Sequence, residues 1–296
     1  MSLTAPNSPI LCVGETLWDV LPAGEFLGGA PLNVAGHLSR LGVSALLLSR
    51  VGSDSRGERA RDQMRKLGLD IRLVQVDSNL PTGEARAILD DNGSASYQFL
   101  SPAAWDEITI NDAVMESART AAAVVFGTLV QRTPAQAKTL ANILKVARWR
   151  ILDVNLRAPH DDDVVVLESL RQADFVKLND SEILALASLL GSRSDPESFK
   201  DCLTTQFGTS SLCITQGEHG ALLWHQGQWT EQAAYPTVVA DTVGAGDSFL
   251  AMLLRELLRG SSAKTAMQQA ARLASYVASH SGAIPEYPPH RFMNET

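Results

Sequence analysis

"DTVGAGDSF", Asp241–Phe249, sets two glycines, two aspartates and a threonine between a β-like run and a helical pattern. The preceding "TVVA" (Thr237–Ala240) is rich in β-branched residues and predicts a short strand. Beyond it, Phe249, Leu250, Leu253, Leu254, Leu257 and Leu258 recur at helical spacing, and Gly260 suits the stop. The stretch therefore predicts a strand-to-helix turn opening a buried helix. Glycine admits backbone conformations closed to other residues and lets a ligand approach closely. The N–H groups of Gly244, Ala245, Gly246 and Asp247, at the positive end of the helix dipole, make an anion site. A carboxylate in that same turn competes with a bound phosphate unless Asp247 faces a proton that it removes. Alone, "GAGD" also fits a plain turn with an aspartate favouring the helix start.

Working outward, short apolar runs alternate with helical patterns. Ile10–Gly14, Ala45–Gly52, Ala121–Gly127, Trp149–Asn155, Asp174–Asn179 and Ser211–Thr215 read as buried strands. Helices are expected near Pro31–Leu41, Arg56–Leu67, Pro134–Ala147, Val164–Gln172 and Ser181–Leu190, with Pro31 at a first helical position and Gly42 at an end. This alternation predicts an α/β fold, a mostly parallel sheet flanked by helices on both faces. Thr82–Trp105 breaks the rhythm with two β-like runs around "DDNGS", a hairpin signal. Leu17–Phe26 is placed to pair with it. We expect one domain over residues 1–296, with a small β-lid formed by about 15–27 and 82–105. Trp18 and Trp105 border that lid, either closing over a ligand or anchoring it by burial.

Composition narrows the function. The chain has 296 residues, 45% hydrophobic and 20% charged, and its net charge of −8 argues against nucleic acid or anionic membrane as partner. The three cysteines, Cys12, Cys202 and Cys213, are far apart with no metal spacing, so reduced buried thiols and a cytoplasmic location are expected. "MSLTAPNSPI" lacks the basic start and apolar segment of a signal peptide. "HDDD" (His160–Asp163) reads as a solvated acidic start to a helix. Neither GxxxxGK[ST] nor GxGxxG after the first strand is present, which disfavours a P-loop enzyme and a dinucleotide oxidoreductase.

"DTVGAGD" resembles the C-terminal signature of the ribokinase-like (PfkB) family of sugar and nucleoside kinases, and "GGAPLNVAGHLSRLG" (Gly28–Gly42) resembles its N-terminal signature. "DVNLR" (Asp153–Arg157), "KLNDSE" (Lys177–Glu182) and "TQGEHG" (Thr215–Gly220) extend the resemblance over nearly the whole chain. "GETLWDVLP" and "AAWDEI" point to the fructokinase branch.

The resemblance implies a ribokinase-like fold and transfer of the ATP γ-phosphoryl group to a sugar hydroxymethyl group, with fructose first among substrates. It makes Asp247 the base and Gly244, Ala245 and Gly246 the anion turn. It puts the sugar at Asp19, Gly28, Gly29 and Asn33, with Arg157 in reach of the phosphates. It assigns the nucleotide and Mg²⁺ to Asn179 and Glu182, the metal through water, and the nucleotide also to Thr215, Gly217 and Gly220. Ala271, Ser275 and Ser281–Pro288 would wall the adenine. Some relatives bind a monovalent cation such as K⁺ near the position of Asp241, and some form homodimers through the lid. Each residue also has an ordinary reading: Asn33 as a polar residue facing water, "NDSE" as a helix start, Arg157 as a surface cation. Another ketose, a keto-deoxy sugar acid or a nucleoside remains open as substrate, as does a non-catalytic sugar-binding regulator.

Overall fold

In the computed structural model, which describes residues 8–21, 24–89 and 95–292, the run at Ile10 is strand β1 (Ile10–Val13), buried throughout. Ile10 and Cys12 enter one apolar cluster, Leu11 and Val13 another. A strand covered on both faces needs apolar residues at every position, which explains a continuous run instead of alternation. Among the described residues twelve further strands follow. They are β2 (Leu17–Leu21), β3 (Gly24–Gly28), β4 (Ala45–Gly52), β5 (Val74–Asp77), β6 (Gly83–Leu89) and β7 (Ala95–Phe99). Then come β8 (Ala123–Phe126), β9 (Arg150–Asp153), β10 (Phe175–Asn179), β11 (Ser211–Thr215), β12 (Ala221–His225) and β13 (Gln228–Gln232).

Nine of these strands form one sheet in the order β13-β12-β11-β10-β9-β8-β1-β4-β5. From β11 to β5 all pairs are parallel, and β12 and β13 close one edge antiparallel. The order reverses at β1, between β8 and β4, and open sheets of this kind place ligands at the carboxyl edge of such a point.

The same residues carry nine α-helices: α1 (Ala30–Arg40), α2 (Ser55–Lys66), α3 (Asp112–Thr120), α4 (Pro134–Leu144) and α5 (Asp163–Gln172). The others are α6 (Asp180–Leu190), α7 (Pro196–Phe207), α8 (Ala245–Leu258) and α9 (Ala263–Ala278). α1, α8 and α9 bury their apolar faces in the first cluster, α3 to α7 theirs in the second. Seven of these helices begin with a side-chain cap; α5 starts at Asp162, which accepts from the Val164 N–H, so "HDDD" serves as a helix start. α1 and α8 begin instead at Gly29 and Gly244, with φ of 119° and 78° and no cap from the first residue's side chain.

One expectation needs correction. "TVVA" is not a strand: residues 233–239 run irregularly, and Val238 and Val239 are exposed. β-branched residues without an apolar face to bury gain nothing from pleating. The antiparallel β12 and β13, in turn, had not been foreseen.

The remaining strands form a second sheet, β3-β2-β6-β7, in which Leu17–Phe26 pairs with the hairpin as expected. The "DDNGS" turn itself falls on 90–94, outside the described residues. Trp18 and Trp105 are fully buried where the two sheets meet, and neither lines the cavity described below. Arg59 lies 4.3 Å over the Trp18 ring and Arg132 3.8 Å over that of Trp105. The Trp18 indole donates to the Arg56 carbonyl at 3.1 Å. Arg56 also pairs with Glu25 and Glu84 of the small sheet. The tryptophans are therefore anchors.

Candidate functional site

A cavity of about 1200 Å³ lies along the carboxyl edge of the large sheet, beneath the small one. That volume exceeds the few hundred Å³ of a single small ligand. Asp19, Gly29, Asn33, Arg157, Asn179, Glu182, Thr215, Gly217, Gly220, Asp241, Gly244, Ala245, Gly246 and Asp247 all line it. So do Ala271, Ser275 and residues 281–283 at one end. Gly28 does not. A Cβ there would collide with the Asp19 carboxylate, so Gly28 makes room for Asp19.

Asp247 sits in the first turn of α8. The turn leaves the N–H groups of Gly246 and Asp247 without a protein acceptor among the described residues, while Ala245 donates to Thr242 at 3.2 Å. Gly244 is required twice. Its φ of 78° is left-handed, and an added Cβ would strike the Ala283 main chain. Asn33, one turn into α1, is buried rather than facing water, and its Nδ2 donates to Asp247 Oδ2 at 2.8 Å. The Asn33 Oδ1 has no partner, an acceptor left for a ligand hydroxyl. Burial, and next the Asp153 charge, push the Asp247 carboxyl up to about 7, against Lys177, Asn33 and Arg157. Burial likewise raises Asp19 to about 6. A carboxylate poised near neutrality beside open N–H donors can take a proton while an anion binds next to it.

Two groups escaped the reading of the sequence. Lys177, mid-run in β10, is buried and donates to Asp153 Oδ1 at 2.7 Å. A Cβ on Gly246 would lie 3.4 Å from its ammonium, so the pair sits directly behind the anion turn. Burial pulls the Lys177 ammonium down, but Asp153, Asp247 and Glu182 together hold it above its usual value. The other group is Glu15, just past β1. Its Oε1 accepts the first N–H of α1, from Ala30, at 3.1 Å, and its Oε2 is buried without a partner. Burial raises its carboxyl. The available signal was a charged residue inside, or directly after, an apolar parallel strand.

Asn179 and Glu182 are engaged locally. Asn179 Oδ1 accepts from the Ser181 N–H at 3.0 Å and the Glu182 N–H at 2.9 Å, and the Glu182 carboxylate accepts from the Asn179 and Leu156 N–H groups, both at 2.9 Å. This is the reciprocal box of a helix start. Asp241 accepts from Val243 at 3.0 Å and Gly282 at 3.1 Å, tying the turn before α8 to the loop after α9. Arg157 is exposed on the rim, its guanidinium on the Leu156 carbonyl. Asn155 holds a left-handed φ of 45°, a conformation asparagine tolerates and functional sites often retain. In sum the cavity shows seven carboxylates (Glu15, Asp19, Asp153, Asp180, Glu182, Asp241, Asp247) against two cations, Arg157 and Lys177. Among the described residues no three His, Cys, Asp or Glu side chains gather as a metal cluster, and no helix is long and apolar enough to cross a membrane.

Comparison with known proteins agrees with this geometry. The profile of the pfkB family carbohydrate kinases matches residues 13–290. A fructokinase of Klebsiella pneumoniae is 30% identical over 264 residues, covering 85% of each chain. The solved fructokinase of Xylella fastidiosa with bound ATP superposes with a TM-score of 0.84 at 22% identity, covering 94% of each chain. A solved sugar kinase of Pyrococcus horikoshii gives a TM-score of 0.81 at 27% identity, again over 94% of each chain.

Proposed function

We propose a specific reaction for this chain, which belongs to the pfkB carbohydrate kinase family and is a phosphotransferase acting on hydroxyl groups: transfer of the ATP γ-phosphoryl group to the hydroxymethyl group of fructose. The observation that carries it is Asp247, held by Asn33 at the mouth of an uncapped helix inside a cavity with volume enough for two ligands. Asp247 removes the alcohol proton. The freed oxygen attacks the γ-phosphorus in line, and the bond to the bridging oxygen breaks to release ADP. The open N–H groups of Gly246 and Asp247, in the Gly244–Asp247 turn, stabilise the charge on the transferred group, an effect of alignment and electrostatics. Asp19, Gly29 and Asn33 hold sugar hydroxyls, and Glu15, with its unpartnered oxygen, joins them.

The nucleotide lies toward Asn179, Thr215, Gly217 and Gly220, with Ala271, Ser275 and 281–283 around the base. A triphosphate enters a cavity lined by carboxylates, Asp153, Asp180, Glu182 and Asp241 among them, so a divalent cation such as Mg²⁺ fits the donor chemistry. Each Glu182 oxygen already accepts one backbone N–H, so Glu182 would hold that cation through water. When bound, Mg²⁺ neutralises phosphate charge. A monovalent cation near Asp241 would meet oxygens that already accept two N–H bonds, and no step depends on it. The described strands of the small sheet, within the lid expected at about 15–27 and 82–105, act as the lid over the sugar and exclude water. The fold is read as one domain.

Fructokinase-named relatives support fructose. The sugar end offers three carboxylates, Glu15, Asp19 and Asp247, which favours an uncharged polyol over a sugar acid. The test is ADP release with Mg-ATP across sugars, sugar acids and nucleosides, beside Asp247→Asn. Turnover on fructose that collapses in the variant supports both substrate and base. Turnover on another compound corrects the substrate. Sugar binding with no ADP release from any compound points to a regulator.

A further inference from the structure

His37 lies one turn beyond Asn33 on α1 and is completely buried. Its two ring nitrogens meet two different parts of the chain. Nε2 lies 2.9 Å from the Ala283 carbonyl, and Nδ1 lies 2.8 Å from the Tyr287 hydroxyl. A carbonyl only accepts, so Nε2 carries the hydrogen; Nδ1 then accepts from the Tyr287 O–H. The neutral tautomer this requires matches the burial, which pulls His37 down to about 4. The hydrogen bond to Ala283 pulls the other way, and the charge of Arg40 acts with the burial. The Tyr287 ring stacks on the imidazole at 5.8 Å and is itself buried against Tyr276 and Phe292.

What His37 grips also matters. Ala283 packs on Gly244, where an added Cβ would sit 2.6 Å from the Ala283 Cα. The neighbouring Gly282 donates to Asp241, and Ile284 fits against Gly36, leaving no space for a Cβ. The helix that supplies Asn33 to Asp247 therefore also fixes the loop that braces the first residue of the anion turn. Nothing in the reaction uses the imidazole itself.

We propose that His37 is a positioning residue that couples the two halves of the cavity. By holding Ala283, it sets the loop 281–284 and the Gly244 turn from the sugar-side helix. This rests on reading one half of the cavity as the sugar site and the other as the nucleotide site. It predicts a loss confined to one side. His37→Ala should raise the nucleotide KM about tenfold, as for one lost buried hydrogen bond, and move the sugar KM less than about threefold. His37→Gln should largely restore the nucleotide KM, since its amide can donate to Ala283 and its carbonyl can accept from Tyr287. Tyr287→Phe, losing only the hydroxyl, should give a smaller shift in the same direction.

The experiment measures both KM values for wild type and the three variants, with ADP titration and a melting temperature for each. A nucleotide-specific shift that glutamine rescues supports the coupling. Nucleotide KM values within about twofold of wild type in all folded variants would overturn it. Both KM values rising together, with no rescue by glutamine, would reduce His37 to packing and overturn it equally. If His37→Ala does not fold, the glutamine and phenylalanine variants decide. A wild-type protein that binds no nucleotide would instead bring down the reading of the site on which the coupling rests.

Discussion

Two helix starts face the same cavity and treat their backbone in opposite ways. At α6, Asn179 and Glu182 satisfy the first N–H groups and each other, and "NDSE" spends its polar atoms on the helix. At α8, Gly244 offers no side chain, and the N–H groups of Gly246 and Asp247 are left open. Both helices point the positive end of their dipoles at the cavity, yet the second and third N–H groups are taken by Asn179 in α6 and left open in α8. Acidic spacing alone therefore does not mark a phosphate site. The mark is a helix start without a cap, in a place where a left-handed glycine is enforced by packing.

The contrast can be tested by breaking α8 first. Asp247→Asn should lower turnover about 10³-fold, the scale of a lost general base, with sugar binding retained by titration. The same variant should melt higher above pH 7. The native Asp247 binds its proton more tightly folded than unfolded, so ionisation between about 4 and 7 removes stability as pH rises, and asparagine escapes that loss. In the wild type, kcat/KM should fall as pH drops through about 7, because the base must be ionised. Asp153→Asn removes a neighbouring negative charge and should move that midpoint down; an unmoved profile would show that another group limits the rate.

Gly244→Val should cost activity about 10²-fold through the displaced turn, measured as ADP release beside a melting curve. Gly191 is the control. It is also left-handed, at φ 63°, but nothing lies within 4 Å of an added Cβ. Gly191→Ala should lower stability by about 1 kcal/mol and leave turnover unchanged. Of the two helix starts, the smaller effect belongs to α6. Asn179→Ala should cost about 1 kcal/mol of stability, as for other lost caps, with turnover reduced only a few fold. A hundredfold loss there would mean that the cap also touches the nucleotide.

Much of this was legible in the sequence, for identifiable reasons. Strands such as β1 and β8 are buried on both faces, so their apolar runs mark them directly. The edge pair β12 and β13 is half covered and carries Trp224, His225, Gln228 and Gln232 in a mixed pattern that marks no strand. "TVVA" failed in the opposite sense, showing propensity without a partner strand. In the site, Gly244 to Asp247 stand together in the chain and were readable as a unit. The Lys177–Asp153 pair joins residues 24 apart across neighbouring strands, so neither residue signals the other. Glu15 is a lone carboxylate until the fold brings Ala30 to it.

The Asn33–Asp247 bond closes a gap of 214 residues. It has a consequence for how the chain is made. α1 packs on α8, and Asp247 is made 214 residues after Asn33, so α1 waits for its partner helix. At 5–20 residues per second on the ribosome, that wait is about 10–40 s. During it the apolar side of α1 that packs on α8 in the finished protein has no helix to cover it. The nascent chain therefore emerges with an apolar helix face awaiting its cover, and the Asn33–Asp247 pair forms only once α8 has been made.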